Sequence, residues 1–474
     1  MKRYLSIILV TAFTITLFSC KKDFLEVVDT TVLLQEGYVV DLTTTEHFLN
    51  GIYLQMGSIY ADGAILIYPE VIGDNIKPYA KGIDNYNDMY GWSQSVSKKT
   101  SYNGYAHWYN EYRIIRSCNF TIEKSNEFKA ENPAKADSIK GQALAIRAWM
   151  NFGLVNMFAQ SYNYTSDGSH PGIPVIKTSD VEESVRRQTV AEVYDAMIND
   201  LHEALKLLPT TVSNKQVMNY YATKALLARI YLFKEDYQQA KNIATEVLDR
   251  YPIMLTNYPS KLYTTAETEA LFYLPPGSSN NYNTYFEGYY TIYDVARPTD
   301  LNYIASADIA QLFNAYPTDK RNTWVKYDVS KGWLINKFPS GVTGSYSSAK
   351  GDYYQTFFRS SEMALTAAEA FVKLNNEDSA RYFLNTIRSR AGIPILSSAI
   401  IGTSLMDSVR NERRKEMAFD GIRFYDLLRW KQAVARKDAL NANSENLAYP
   451  SLKAVAPIPL DDVNIAGLPQ NEGY

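Results

Sequence analysis

Residues 411–430 read Asn-Glu-Arg-Arg-Lys-Glu-Met-Ala-Phe-Asp-Gly-Ile-Arg-Phe-Tyr-Asp-Leu-Leu-Arg-Trp. Leu405, Val409, Arg413 and Met417 are spaced four apart, so an arginine sits on the apolar stripe of its helix. A buried guanidinium needs carboxylate or carbonyl partners, and Glu412, Glu416, Asp420 and Asp426 are near in sequence. Gly421 allows a sharp exit from the helix. Phe424, Leu427, Leu428 and Lys431 then share one face of a following helix. The acidic residues can be read as a catalytic pair, but the pattern fits better an ion-pair-laced packing motif.

Helical periodicity surrounds this stretch. It predicts helices over 47–59, 108–128, 134–158, 189–208, 219–233, 237–251, 360–374, 378–391, 404–419 and 424–434. Pro133 is placed to open one of them. Thr189 with Glu192 forms a capping box for another, which Pro209 ends. In the 219–251 pair, Leu227, Ala228, Tyr231, Ala240, Ala244 and Pro252 follow the tetratricopeptide spacing, in which small residues let paired helices approach. Ala368, Phe371, Ala380 and Leu384 repeat the offsets. Both copies are degenerate, with Lys224 in the place of a Trp and Gly392 in the place of a Pro. Residues 60–105 and 252–358 lack sustained periodicity and read as loops and short strands, and the tail from Ala456 reads as coil.

The chain has 474 residues, 46% of them hydrophobic, which suffices for a real core. Its 48 Lys and Arg against 51 Asp and Glu argue against a nucleic-acid partner. Four scattered histidines and two cysteines give neither a metal site nor a disulfide framework, and no cofactor is implied. Asp84-Asn85-Tyr86-Asn87-Asp88 lacks the Gly and distal Glu of a calcium loop and reads as a solvated turn. The N-terminus combines Lys2 and Arg3 with an apolar run too short to span a membrane. Leu17-Phe18-Ser19-Cys20 then resembles a bacterial lipobox. Residues 1–19 are therefore expected to be a lipoprotein signal peptide, with Cys20 the lipidated first residue and 20–40 an extended arm. Losing Lys2 and Arg3 takes the net charge from −3 to −5 and leaves Cys118 as the lone thiol.

The 411–430 stretch closely resembles the hallmark of the SusD/RagB-like family of outer-membrane nutrient-binding lipoproteins of Bacteroidota. The C-terminal Pro457-Ile458-Pro459 and Gln470-Asn471-Glu472-Gly473-Tyr474 are similar to that family's ending, with Glu472 where Pro is expected. Asp23-Phe24-Leu25-Glu26, the Arg147-Ala148 pair and Arg388-Ser389-Arg390-Ala391-Gly392 agree in order. The resemblance implies a mainly α fold, a tetratricopeptide-like helical lobe (mainly 106–251 and 360–436) packed against an irregular lobe with a few short strands (mainly 60–105 and 252–358), within one unit over 41–474. It also implies a non-catalytic lipoprotein, lipid-anchored in the outer membrane and facing the cell exterior. Such a protein binds a nutrient, foremost an oligosaccharide, or else a peptide, for a SusC-like TonB-dependent transporter. A secreted glycoside hydrolase and a pure protein-binding scaffold are the rival classes. The sequence holds no GxSxG, HExxH, P-loop or CxxC pattern.

Tyrosine is in excess, at 38 residues. Its flat ring and polar tip suit sugar faces at low ordering cost. Tyrosines and tryptophans crowd residues 79–112 and 282–293. Trp108, Tyr109 and Tyr112 fall on a helix and are expected in the core. Tyr86, Tyr90, Trp92, Tyr285 and Tyr289 are the candidate ligand platforms, with Asp74, Asn75 and Asn103 as hydrogen-bonding partners. Trp324 and Trp333 are weaker candidates.

Overall fold

The computed structural model describes residues 35–61, 64–79, 87–96, 104–180, 185–264, 266–274, 303–338 and 355–474. Helices dominate them. They are α1 (Leu42–Ala61), α2 (Ala64–Val71), α3 (Gly104–Glu127), α4 (Pro133–Phe158), α5 (Val190–Leu207), α6 (Tyr220–Phe233), α7 (Tyr237–Arg250), α8 (Ser360–Lys373), α9 (Glu377–Ala391), α10 (Gly402–Glu416) and α11 (Arg423–Arg429).

Local chemistry sets their ends. Asn132 caps α4, whose first residue is Pro133, because proline has no N–H to leave unpaired there. Thr189 and Glu192 close a reciprocal capping box on α5. Asn219 caps α6, Asp236 caps α7 and Asn376 caps α9, while Gly392 ends α9 in the left-handed region at φ 81°.

From α3 to α9 each helix packs on the next in chain order. The series continues directly from α7 to α8, although more than a hundred residues separate them in sequence. The small residues of the two predicted repeats, Ala228, Ala240, Ala244, Ala368 and Ala380, are all fully buried where the helices cross. Lys224, in place of the repeat's Trp, is buried with its ammonium paired to Glu246 and set over the Tyr220 ring. The excursion between α7 and α8 is pinned at its base. Strand β2 (Ala270–Leu274) runs antiparallel to β6 (Gln355–Arg359), and β6 leads straight into α8. Within the excursion, β3 (Tyr303–Ala305) pairs with β1 (Ile76–Pro78), and β4 (Val325–Asp328) and β5 (Gly332–Ile335) form a hairpin.

The structure departs from the periodicity reading in several places, among them short helices at Gln35–Tyr38, Asn87–Tyr90 and Ala307–Phe313 and a last hallmark helix that ends at Arg429. Helix α2 lies in a segment expected to be loops and strands. Its sequence AILIYPEV is apolar but for Glu70, and it is buried where described, Glu70 included, so it has no solvent-facing polar side to reveal a period. Tyr109 is not core but 56% exposed, while Trp108 is buried. A short helix, Leu460–Ile465, interrupts the C-terminal coil.

Gly421 joins α10 to α11 at φ 77°, and a Cβ there would sit 2.7 Å from Leu66 Cα of α2. Gly421→Ala is expected to lower the unfolding free energy by about 2–4 kcal/mol, from the left-handed backbone and the overpacking together. Denaturant titration of the variant checks this.

Candidate functional site

The acidic residues of the 411–430 stretch are the first candidates for chemistry. Glu416 accepts hydrogen bonds from Arg359 Nη1 at 2.8 Å, Arg390 Nη2 at 2.7 Å and the Tyr258 hydroxyl at 2.7 Å. Glu412 pairs with Arg321 at 2.9 Å, Arg388 at 2.9 Å and Lys415 at 2.7 Å. Asp420 takes Arg359 at 2.8 Å, Lys337 at 2.8 Å and the Tyr263 hydroxyl at 2.7 Å. Asp426 bridges Arg413 Nε at 2.8 Å and Arg429 Nε at 2.7 Å. Arg413 is fully buried, as its stripe predicted, and a second carboxylate, Glu362 of α8, lies 3.7 Å from it.

Burial alone would raise the pKa of Glu416, but Arg390, Arg359 and Arg321 outweigh it and hold the carboxyl far below its ordinary value. The same contest lowers Glu412 and Asp426. A general acid needs the opposite shift, towards neutral pH. Burial raises the pKa of Glu111 and Asp462, and it pushes Glu70 and Glu267 up to about 7. The last two serve the backbone: Glu70 accepts from Gly421 N at 3.1 Å, and Glu267 from Tyr263 N at 2.6 Å. The hallmark carboxylates are thus scaffold ions.

Asp74, Asn75, Tyr90 and Trp92 are brought together by the structure, but in the interior. Asp74 is held by both nitrogens of Arg423, at 2.6 and 2.9 Å. Asn75 donates to Glu70 at 3.0 Å and accepts from Arg414 Nε at 2.9 Å. Trp92 is 6% exposed, with Nε1 donating to Ile72 O at 3.2 Å. Tyr90 is 2% exposed. Between these rings lies Arg436, its guanidinium 3.8 Å from the Tyr90 centroid and 4.3 Å from that of Trp92. Its five N–H groups meet five carbonyls, of Val71, Ile72, Gly73, Tyr90 and Ser444. The four residues therefore wall a cation-π and hydrogen-bond knot that fixes the chain after α2, which is a packing role. Arg436 carries no signal in sequence, because Ala-Arg-Lys-Asp at 435–438 has no apolar period. Tyr86, Asn103, Tyr285 and Tyr289 lie outside the described residues, as does Cys20.

The strand layer organises the remaining aromatics. In the β1–β3 ladder Pro78 is the partner of Tyr303. The chain beyond Pro78 runs into the first tyrosine-rich segment, and the chain entering Tyr303 comes from the second. Two described residues that flank those segments in sequence, Pro78 and Tyr303, are thus neighbours in space. The β4–β5 hairpin packs on β3 and carries Tyr327 opposite Trp333, rings 5.0 Å apart at 62°. Tyr327 is 57% exposed and Trp333 half-buried. Trp324, by contrast, is core, with the Lys337 ammonium 4.6 Å from its ring. Sequence reading missed Tyr327. The alternation of Val-Lys-Tyr-Asp and Gly-Trp-Leu-Ile about a Ser-Lys turn was the available signal.

Trp92→Ala is expected to cost about 3–5 kcal/mol, read as a large drop in melting temperature. Glu416→Gln leaves three buried arginines short of an anion and is expected to cost about 3–5 kcal/mol at neutral pH. Because the folded-state pKa of Glu416, Glu412 and Asp426 is depressed, their contribution is complete above the unfolded values and is lost as pH falls below about 4. Wild-type stability should drop steeply there, and that of Glu416→Gln less steeply, as measured by thermal unfolding against pH.

Two family models match the chain. The model for the SusD family covers residues 269–474, and one described as "Starch-binding associating with outer membrane" covers 23–232. A SusD-like protein of Formosa agariphila is 22% identical over 397 residues, 72% of this chain and 75% of the relative. A SusD superfamily structure from Bacteroides thetaiotaomicron superposes with TM-score 0.81 at 25% identity, over 91% of this chain and 100% of that one. Another, from Bacteroides vulgatus, superposes with TM-score 0.81 at 26% identity, over 92% and 99%. The hallmark stretch, the helical series and these matches have one meaning: the chain belongs to the SusD family.

Proposed function

We propose that this protein is a non-catalytic surface lipoprotein, anchored through Cys20, that binds an oligosaccharide and passes it to a SusC-like TonB-dependent transporter in the outer membrane. The observation that carries the reading is the Tyr327–Trp333 ring pair, with Tyr327 57% exposed, on the hairpin that packs against β3. Stacked rings with polar tips suit the C–H faces and hydroxyl rims of sugars. The family's association with starch binding and the outer membrane supports the same reading. Among the described residues no helix is long and apolar enough to cross a membrane. Tyr86, Tyr285, Tyr289 and Asn103 are retained as proposed ligand contacts.

Calorimetric titration of the purified protein with neutral oligosaccharides tests this directly. Tyr327→Ala and Trp333→Ala should each weaken binding about tenfold with little change in melting temperature. Catalytic turnover of the glycan at substoichiometric protein would refute the non-catalytic reading. Cys20→Ala should abolish lipidation and release the protein from membranes.

A further inference from the structure

Helix α10 carries a second stripe, apart from its apolar one. Asp407, Arg410, Asn411 and Arg414 are spaced three and four apart, and with Arg423 and Trp430 they line an open pocket of ≈ 240 Å³. Three guanidinium groups converge there; Asp74 and Asp407 pair with them directly, and Asp308, Asp426 and Glu70 act on Arg414 or Arg423 from further off. Asp74 is spent, with Arg423 on both oxygens and Arg414 at 3.4 Å. Asp407 has a 55% exposed side chain and makes a single 3.3 Å contact to Arg410 Nη1. Such an exposed pair is worth little and is readily displaced.

Both α10 arginines of the pocket keep uncommitted donors. Arg410 Nε is shielded from solvent with no hydrogen-bond partner, and its guanidinium lies 5.4 Å from the Trp430 ring centroid. Arg414 commits Nε to Asn75 and Nη2 to Asp74 O, and Nη1 makes no hydrogen bond to a described residue. Burial pushes Arg414 down to about 10, still protonated at neutral pH, so the charge there is permanent and only partly compensated. A planar guanidinium fork matches the two oxygens of a carboxylate or of a sulfate.

We propose that this pocket binds an oxyanion group, the carboxylate or sulfate of an acidic saccharide, through Arg410 and Arg414. The site is separate from the aromatic surface and does not depend on it.

Calorimetry on the full chain in detergent, at ionic strength held constant with sodium chloride, is the test. Sodium glucuronate and sodium sulfate are the probes, and glucose is the neutral control. Saturable binding of glucuronate, of sulfate or of both, with none of glucose, is expected. Glucuronate binding identifies carboxylate saccharides as the ligand class, and binding of sulfate alone identifies sulfated ones. Arg410→Gln should weaken the binding about tenfold at unchanged melting temperature, and Asp407→Asn should strengthen it by removing the competing carboxylate. Absence of saturable binding overturns the proposal. So does binding that Arg410→Gln leaves as in the wild type, since that is non-specific. Loss of neutral-oligosaccharide binding in Tyr327→Ala or Trp333→Ala bears only on the aromatic surface.

Discussion

The structure depends on a buried lattice of opposite charges around Glu416. Arg359 comes from the end of β6, Arg390 from α9, Arg321 from the excursion between α7 and α8, and all three converge on this α10 carboxylate. Taking such ions out of water costs several kcal/mol apiece, and the cost is recovered only when every partner arrives in good geometry. That makes the lattice a strict test of assembly. The helical repeat, the excursion and the hallmark helix must all be in place before the charges are compensated. Such a lattice is not in itself a source of stability, since apolar residues of similar volume often replace a buried ion pair without loss.

This constraint shapes how function is carried. β2–β6 closes the base of the excursion, and Arg436 ties the chain after α2 through five carbonyls, so the described frame is cross-braced at both places. A rigid frame lets the segments it carries vary without endangering the fold. It also explains why aromatic density alone misleads. Tyr90 and Trp92 stand in a loop-like, tyrosine-rich stretch, yet their rings are consumed in sandwiching Arg436. Tyr327, on an unremarked hairpin, keeps its ring in solvent.

Much of the helical architecture was legible in the chain. The Thr189–Glu192 box and Pro133 at a helix start act within a few residues of themselves, and the small residues at 228, 240, 244, 368 and 380 show in their spacing along a helix, so a local reading finds them. Helix α2 escaped because a segment buried all round has no solvent-facing polar side to set a period. The hallmark was legible as an ion-pair motif, but its partners were not. Asp426 was near enough in sequence to be named for Arg413, whereas Glu362, Arg359 and Arg321 come from more than fifty residues away.

The sequence by itself determined the helices, the repeat and the need for carboxylates around Arg413, because spacing along a helix and the cost of a buried charge are both local facts. Only the tertiary structure decided which carboxylate meets which arginine and which aromatics are spent inside. It alone revealed that Pro78 and Tyr303, some two hundred residues apart, are ladder partners. Pairings of that kind are set by where the whole chain closes, and no window of residues contains the closure.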